Sequence, residues 1–489
     1  MLDINLFRED KGYDPQEIRE SQKRRGASVE LVDQVIAADK KWRQYQYELI
    51  TMRKDVNILD KKIREFKFAK QDADKLVTEK KNLEGLIDSK EKEMEEVQEI
   101  RDAFLSAVGN LVHETVPCHK DEENNEVIRT WGLPRQEIDL WNHVDLARHL
   151  GIVDLEAGRE VAGSRGYFLK DYGVLLNQAL VNYGLSFLLK RGYTLLQTPF
   201  FMQKDVMSQC AQLSQFDDEL YKVSGEGDDK YLIATAEQPL STFHRGQWMD
   251  TKSLPIRYAG YSTCFRKEAG SHGKDTLGLF RVHQFEKVEQ FCITSPHGTE
   301  SWTMLEEMLK NSEDFYQELG LPYRVVSVVS GVLNDAAAKK YDLEAWFPAS
   351  QKYRELVSCS NCTDYQSRNL EIRYGQKKKE DKVKHYVHLL NSTLTATERT
   401  LCCILENYQT KDGVKVPEKL QPFMMGMDFL PFRTPIVKTA HTKIIPKIPL
   451  ASVPQCAVNF VASEMSSLQA SKRILLHLFS FGLRFSRQF

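Results

Sequence analysis

At 489 residues, 42% hydrophobic and 28% charged, the chain is longer than one hydrophobic core usually serves and reads as a globular protein of two or more domains. The formal net charge of -2 excludes a global basic field as the means of gripping nucleic acid, so any such partner must meet a local surface. Nine cysteines without repeated spacing, behind an N-terminus that lacks a secretory or transit signature, are expected to be free thiols in the cytosol, and no window reaches the roughly 18 apolar residues a membrane span requires.

From Leu31, apolar or small positions recur in alternating steps of four and three through Val35, Ala38, Trp42, Tyr45, Leu49, Met52, Val56, Leu59, Ile63 and Phe66, which is a heptad seam. A second series, Leu76, Leu83, Ile87, Met94, Val97, Phe104, Val108 and Leu111, is interrupted by Lys80, Lys90 and Arg101. The short polar stretch between them predicts an antiparallel helical hairpin, a coiled coil projecting as an arm within residues 1–111. Its halves differ in charge: residues 40–70 hold ten Lys/Arg against four Asp/Glu, and residues 71–102 hold six against eleven. Two readings fit this division. Opposite charges could pair the helices across a solvated coiled coil, or a basic stripe could follow an RNA backbone, where each neutralised phosphate releases counterions.

Residues 112–135, with prolines and an acidic cluster, read as a linker. Over residues 136–432, β-rich runs alternate with helical segments such as SWTMLEEMLKNSEDFYQEL, as in an α/β or α+β domain. Residues 433–489 mix proline, serine and isolated apolar runs without a period; this C-terminal extension is expected to be poorly ordered and dispensable for catalysis.

The stretch CFRKEAGSHGKDTLGLFRVHQFEKVEQF, residues 264–291, sets a glycine-bearing loop between two runs that alternate like strands. Period two puts Arg266 and Glu268 on one face of the first run, and Arg281, His283, Phe285, Lys287 and Glu289 on one face of the second. An exposed hairpin could carry such charge. Phe285 among these residues instead asks for a partner network or a ligand, and a nucleotide offers both a base to stack and phosphates for arginine. The loop matches neither a P-loop nor a dinucleotide fingerprint. With His272 and Lys274 it suits closure over a polyanionic end, or is a mobile hairpin loop. Downstream, HLLNSTLTATERTLCCILENYQ begins extended and turns helical, with Arg399 near the helix start, where a cation opposes the dipole unless solvent or an anion compensates.

Together with GYTLLQTPFF upstream, these elements closely resemble the eukaryotic cytosolic seryl-tRNA synthetases, class II aminoacyl-tRNA synthetases, over about residues 1–430; VAGSRGYFL, AQLSQFDDELYKV, YLIATAEQPL, YDLEAWFP and RELVSCSNCTDYQSR add support. The resemblance implies an α+β fold, with an N-terminal helical hairpin followed by a class II catalytic domain whose central antiparallel sheet is flanked by helices. It also implies a cytoplasmic homodimer, with GYTLLQTPFF at the interface, acting on ATP, L-serine and tRNA(Ser), with tRNA(Sec) a second candidate acceptor. Residue by residue, it implies that Arg266 clamps the α-phosphate, Glu268 meets the adenine amino group, Phe285 and the Val282 backbone sandwich the base, and Arg399 holds the γ-phosphate. Arg266, Glu355 and Arg399 become the catalytic residues; Lys267, His283, Gln284, Leu356 and Val357 complete the nucleotide site, and Glu355 with Ser358 ligates Mg²⁺. Thr235, Glu237, Arg266, Glu289, Asn391 and Thr393 would bind serine; Arg53, Lys54, Lys61, Lys62, His272 and Lys274 would bind tRNA.

Cys359 and Cys362, with His385 and His388 downstream, could be read as a zinc set, but the spacing is short and the region overlaps the implied ATP site, so no zinc is expected. Two alternatives to an enzyme are an inactive synthetase relative that binds RNA or regulates, and a coiled-coil scaffold. Arg266, Glu289, Glu355 and Arg399 argue against the first, and a hairpin confined to about a quarter of the chain argues against the second.

Overall fold

The computed structural model describes residues 1–210, 219–225, 227–269, 278–376 and 384–433. His272, Lys274 and the C-terminal extension beyond Arg433 lie outside them, and with them the expectation that the extension is poorly ordered.

A first helix, α1 (Pro15–Arg25), begins where the Asp14 carboxylate accepts from the Gln16 N–H and proline fills the first helical position, and it ends at Gly26, which takes the left-handed backbone at φ 69°. Two long helices follow, α2 (Glu30–Phe68) and α3 (Asp74–Ala107), and they form the arm. Val35, Ala38, Leu49, Leu59 and Ile63 of α2 are buried, as are Ile87, Val97 and Leu105 of α3. The charges that interrupt the second seam make contacts across the arm: Lys80 Nζ lies 2.8 Å from Asp60, Lys90 Nζ 3.4 Å from Glu48, and the Arg101 guanidinium 4.5 Å from the Trp42 ring. Solvent-exposed pairs of this kind add little to stability. At the base of the arm, Arg24 donates to the carbonyls of Val112, His113 and Val116, and Arg25 donates to those of Asn110 and Ala337. These bonds tie α1, at the base of the arm, to backbone carbonyls of the body.

The body is organised around an eight-stranded sheet. In chain order its strands are β1 (Glu126–Trp131), β2 (Thr194–Gln197), β3 (Ile256–Phe265), β4 (Gln284–Thr294), β5 (Tyr323–Ser327), β6 (Lys339–Phe347), β7 (Lys352–Asn361) and β8 (His388–Ala396). Their spatial order is β1-β5-β6-β7-β8-β4-β3-β2, antiparallel throughout except for β2 beside β3. The segment that reads as linker supplies β1, because Val127–Trp131 pairs with Tyr323–Val326 despite the acidic cluster before it.

Alternation along β4 assigns the two faces. Val288, Gln290 and Cys292 turn toward the helical layer α4 (His143–Leu150), α5 (Leu155–Ala162), α6 (Tyr172–Leu189), α7 (Glu300–Glu318) and α8 (Thr397–Tyr408), whose Leu176, Leu180, Leu309, Phe315, Leu401 and Ile404 build the main core. Phe291 and Ile293 join a second core with Leu240 and Leu389 on the other face. Phe285, Lys287 and Glu289, of the same parity as Phe291, line a cavity there.

Candidate active site

That cavity, of about 480 Å³, is lined by residues from four strands of the sheet and the start of α8. The strands are shorter than the alternation predicted. β3 stops at Phe265 and β4 starts at Gln284, so Arg266, Glu268, Arg281 and His283 lie beyond the strand ends. Arg266 still bonds to His283 through backbone N–H to carbonyl at 2.9 Å, after which Glu268 takes a left-handed backbone at φ 51°. The turn brings its carboxylate back to the cavity, 3.1 Å from Arg281 Nη1.

Arg266 is held in place from two sides. Its Nε donates to the Ala234 carbonyl at 3.2 Å, and its guanidinium lies 5.5 Å from the Phe285 ring centroid. Across the cavity, Arg399 donates to the Phe280 carbonyl and to Glu355, whose carboxylate is 3.4 Å away. Glu355 thus gives Arg399, at the helix start, a carboxylate partner. Desolvation pushes the Glu355 carboxyl up, but Arg399, Lys340 and Arg266 outweigh it and hold it below the usual range.

Glu355 and Ser358 differ in parity, so a regular strand would turn them to opposite faces. Register shifts in β7, where Leu343 and Glu344 of β6 pair with Val357 and Glu355, leaving Leu356 as the extra residue of a bulge. Both side chains consequently face the cavity. Their oxygens form an all-oxygen donor pair, which fits Mg²⁺, an ion that takes one or two protein ligands and completes its shell with phosphate and water.

Thr235, Glu237, Glu289, Asn391 and Thr393 also meet in the cavity. Gln366 donates to Glu237 at 2.8 Å, while burial, reinforced by nearby Glu289, pushes the Glu237 carboxyl up. Lys287 belongs to the same group, with Nζ 2.6 Å from Glu289 and 2.5 Å from Thr235 Oγ1. Period two predicts Lys287 on this face, though not its contacts there. Lys340 and Ser360 are not among the residues expected from the sequence: Lys340 reaches the cavity through the β6–β7 pairing, whereas Ser360 follows Ser358 by two residues on the same face of β7. Four expected nucleotide-site residues are absent from the lining: Lys267, His283, Gln284 and Val357. Val357 is fully buried in the main core, and His283 Nδ1 lies 2.9 Å from the Arg266 carbonyl. Arg53, Lys54, Lys61 and Lys62 are exposed on α2, with Arg53 paired to Glu91 across the arm. Among the described residues, no group of three or more His, Cys, Asp or Glu side chains is placed to hold a metal ion.

Beneath the floor, Tyr167 Oη lies 3.0 Å from the Gln284 carbonyl and 2.9 Å from Glu398 Oε1. A phenol has one proton and a carbonyl only accepts, so both contacts are satisfied when Tyr167 donates to Gln284 and a protonated Glu398 donates to Tyr167. Burial pushes the Glu398 carboxyl up to about 7, against the Glu286 N–H and Tyr167, which favour the anion. Because the folded value lies above the unfolded one, the stabilisation is complete below the unfolded value of 4.5 and is lost as pH rises through about 7. Between about pH 5 and 8, the wild-type protein is expected to lose about 3 kcal/mol more stability than Glu398→Gln. Urea unfolding across that range checks this, and equal slopes would show an ionised Glu398.

A model of the tRNA synthetase class II core domain (G, H, P, S and T) matches residues 221–408, and a model of the seryl-tRNA synthetase N-terminal domain matches residues 1–112. The serine–tRNA ligase of Helianthus annuus is 66% identical over 441 residues, covering 90% of this chain and 100% of that protein. The chain belongs to the seryl-tRNA synthetase family. The cytoplasmic serine–tRNA ligase of Arabidopsis thaliana is 64% identical over 447 residues, 91% of this chain and 99% of that protein. Among solved structures, the cytoplasmic serine–tRNA ligase of Naegleria fowleri in complex with AMP is similar at a TM-score of 0.81 and 52% identity, covering 89% of this chain and 99% of that one. The seryl-tRNA synthetase of Pyrococcus horikoshii complexed with ATP is similar at 0.82 and 38% identity, covering 89% and 100%. The α+β architecture, a helical arm before a class II core, is thus the family's. No helix among the described residues is long and apolar enough to cross a membrane.

Proposed function

We propose that this chain is a cytoplasmic serine–tRNA ligase: it activates L-serine with ATP to seryl-adenylate and pyrophosphate, then transfers serine to the 3′-terminal adenosine of tRNA(Ser). The observation that carries the reading is the convergence of Arg266 on Phe285, Arg399 with Glu355, and the Thr235, Glu237 and Glu289 group in one cavity. A ring and two arginines suit a nucleoside triphosphate, and the acidic group beside them suits an amino acid's ammonium.

Neither displacement needs a protein nucleophile, so the chain's work is alignment and charge stabilisation. Arg266, tethered to Ala234 over Phe285, holds the α-phosphate against the serine carboxylate while Phe285 stacks on the base. Arg399 draws negative charge toward the leaving pyrophosphate. Glu355 and Ser358 would hold Mg²⁺, which would supply neutralisation of the triphosphate. Glu237 and Glu289 bind the substrate's ammonium and hydroxyl with Thr235, Asn391 and Thr393. Lys287 must then give up part of its present contact with Glu289 and Thr235. Buried groups left unpaired by alanine supply discrimination of about 10⁴ or more in favourable sites.

The arm is assigned to tRNA through Arg53, Lys54, Lys61 and Lys62. A homodimer is supported by the apolar side chains Val174, Leu189, Leu195, Phe200 and Phe201, all exposed on and beside the edge strand β2 and its neighbour α6. The test is ATP–pyrophosphate exchange with serine, threonine, alanine and glycine. Exchange driven by serine alone is expected; none from folded protein would leave an RNA-binding relative without chemistry.

A further inference from the structure

Ser358 lines the cavity where it can offer Mg²⁺ its hydroxyl oxygen, and a hydroxyl that gives an ion a lone pair still carries a proton that needs an acceptor. Glu355, the other member of the donor pair, is taken up by Arg399 and would share the ion. The acceptor has to come from elsewhere. Across the β6–β7 pairing, the residue directly opposite Ser358 is Asp342. Opposed residues of an antiparallel pair carry their side chains on the same face with Cβ atoms about 5 Å apart, so a serine hydroxyl reaches the facing carboxylate directly or through one water.

Asp342 is only 8% exposed, and its two carboxylate oxygens differ. Lys340, two residues earlier on the same face of β6, places Nζ 3.2 Å from Oδ2. Oδ1 is buried and has no hydrogen-bond partner among the described residues. Such an oxygen is uncommon, because folding strips it of water and offers nothing in return. The neighbouring carboxylates have cations of their own: Glu355 has Arg399, and Glu344 has Arg324 Nε at 2.5 Å. Lys340 and Ser358 both line the cavity, whereas Asp342 is outside the lining and within reach of both.

We propose that Asp342 is a positioning residue for the metal: its Oδ1 accepts the proton of the Ser358 hydroxyl and so turns a lone pair of that oxygen toward Mg²⁺. Lys340, by taking Oδ2, decides which carboxylate oxygen is offered. This rests on the reading of Glu355 and Ser358 as the Mg²⁺ pair. A partner of this kind orients a ligand without touching the ion. The bulge at Leu356 brings Glu355 to the cavity beside Ser358, and the register on the Ser358 side of that bulge sets Asp342 opposite the serine.

The test uses the full-length protein, Mn²⁺ and α,β-methylene-ATP, which cannot release pyrophosphate. Affinity for the analogue is measured with Mn²⁺ and without metal, and the ratio of the two is the metal's contribution. Asp342→Asn keeps the shape of the side chain. Lys340 only donates, so it holds the amide oxygen, and the NH₂ group takes the Oδ1 position, where it cannot accept from Ser358. The ratio is expected to fall about ten-fold or more in Asp342→Asn, with metal-free affinity within about two-fold of wild type. In a Ser358→Ala background, where no hydroxyl remains to be oriented, the same change is expected to cost less than about two-fold further. Should Asp342→Asn fail to fold for want of a charge opposite Lys340, Asp342→Asn/Lys340→Gln restores the balance and carries the same comparison. Equal losses in the two backgrounds would make Asp342 a distant charge only and overturn the proposal, and so would a fall in metal-free affinity, which would make its role structural. If Mn²⁺ adds nothing to the affinity of the wild type, the metal reading of Glu355 and Ser358 fails and the proposal with it, while serine-dependent exchange in the same preparation judges the ligase reading separately.

Discussion

Serine-dependent ATP–pyrophosphate exchange is expected to fall about a thousand-fold when Arg266 is replaced by alanine, the upper end of what one pre-aligned electrostatic donor contributes to a transition state. The size follows from preorganisation. The Ala234 carbonyl fixes one edge of the guanidinium and Phe285 packs against it, so little reorganisation is needed as charge builds on the α-phosphorus. Lysine should rescue little, because a point charge on a flexible stem cannot reproduce the planar fork or the contact with Phe285. Removing the side chain also exposes a hole in the cavity lining, so the expected change is in kcat as well as in KM for ATP. Stability should change by less than about 2 kcal/mol, since the residue lies beyond the end of β3 rather than in a core. Exchange within ten-fold of wild type, in protein that unfolds at the same urea concentration, would remove Arg266 from the chemistry.

Much of the site is legible along β4 because one physical rule applies over a short distance. Period two puts Phe285, Lys287 and Glu289 on one face, and the structure keeps them there. Legibility fails where long-range pairing or a break in regular backbone decides the outcome. Glu355 and Ser358 share a face only because Leu356 bulges, and nothing in RELVS announces the extra residue. Lys340 enters through the β6–β7 pairing, which joins residues without a shared local pattern, whereas Ser360 was within reach of period two from Ser358. Alternation in the sequence continues beyond Phe265, where β3 ends, to the left-handed turn at Glu268, and so predicts a longer strand than forms. In the arm, the seam is plain as a heptad pattern, yet Lys80, Lys90 and Arg101 read as interruptions until the facing helix brings Asp60, Glu48 and Trp42 opposite them.

Those contacts also sharpen what the arm can do. Lys80 and Lys90 are committed to carboxylates, and Arg53 pairs with Glu91, whereas Lys54, Lys61 and Lys62 stand exposed on α2. Replacing Arg53, Lys54, Lys61 and Lys62 together by alanine is expected to weaken tRNA(Ser) binding by about a hundred- to a thousand-fold at 0.15 M salt, from up to four lost phosphate contacts. Arg53 should contribute least, because Glu91 already offsets its charge. The salt slope of binding should fall by about 3 to 4 for the same reason. Exchange should be untouched, since the four residues sit on the arm and the adenylating residues line a cavity in the sheet. The hairpin itself should persist: its buried seam of Val35, Leu49, Leu59, Ile63, Ile87 and Val97 contains none of the four. Aminoacylation and exchange measured on the same preparation separate the two roles. If both activities fall together while the helical circular dichroism is unchanged, the arm is coupled to activation; if neither falls, its basic face is a solvated surface and tRNA is held elsewhere.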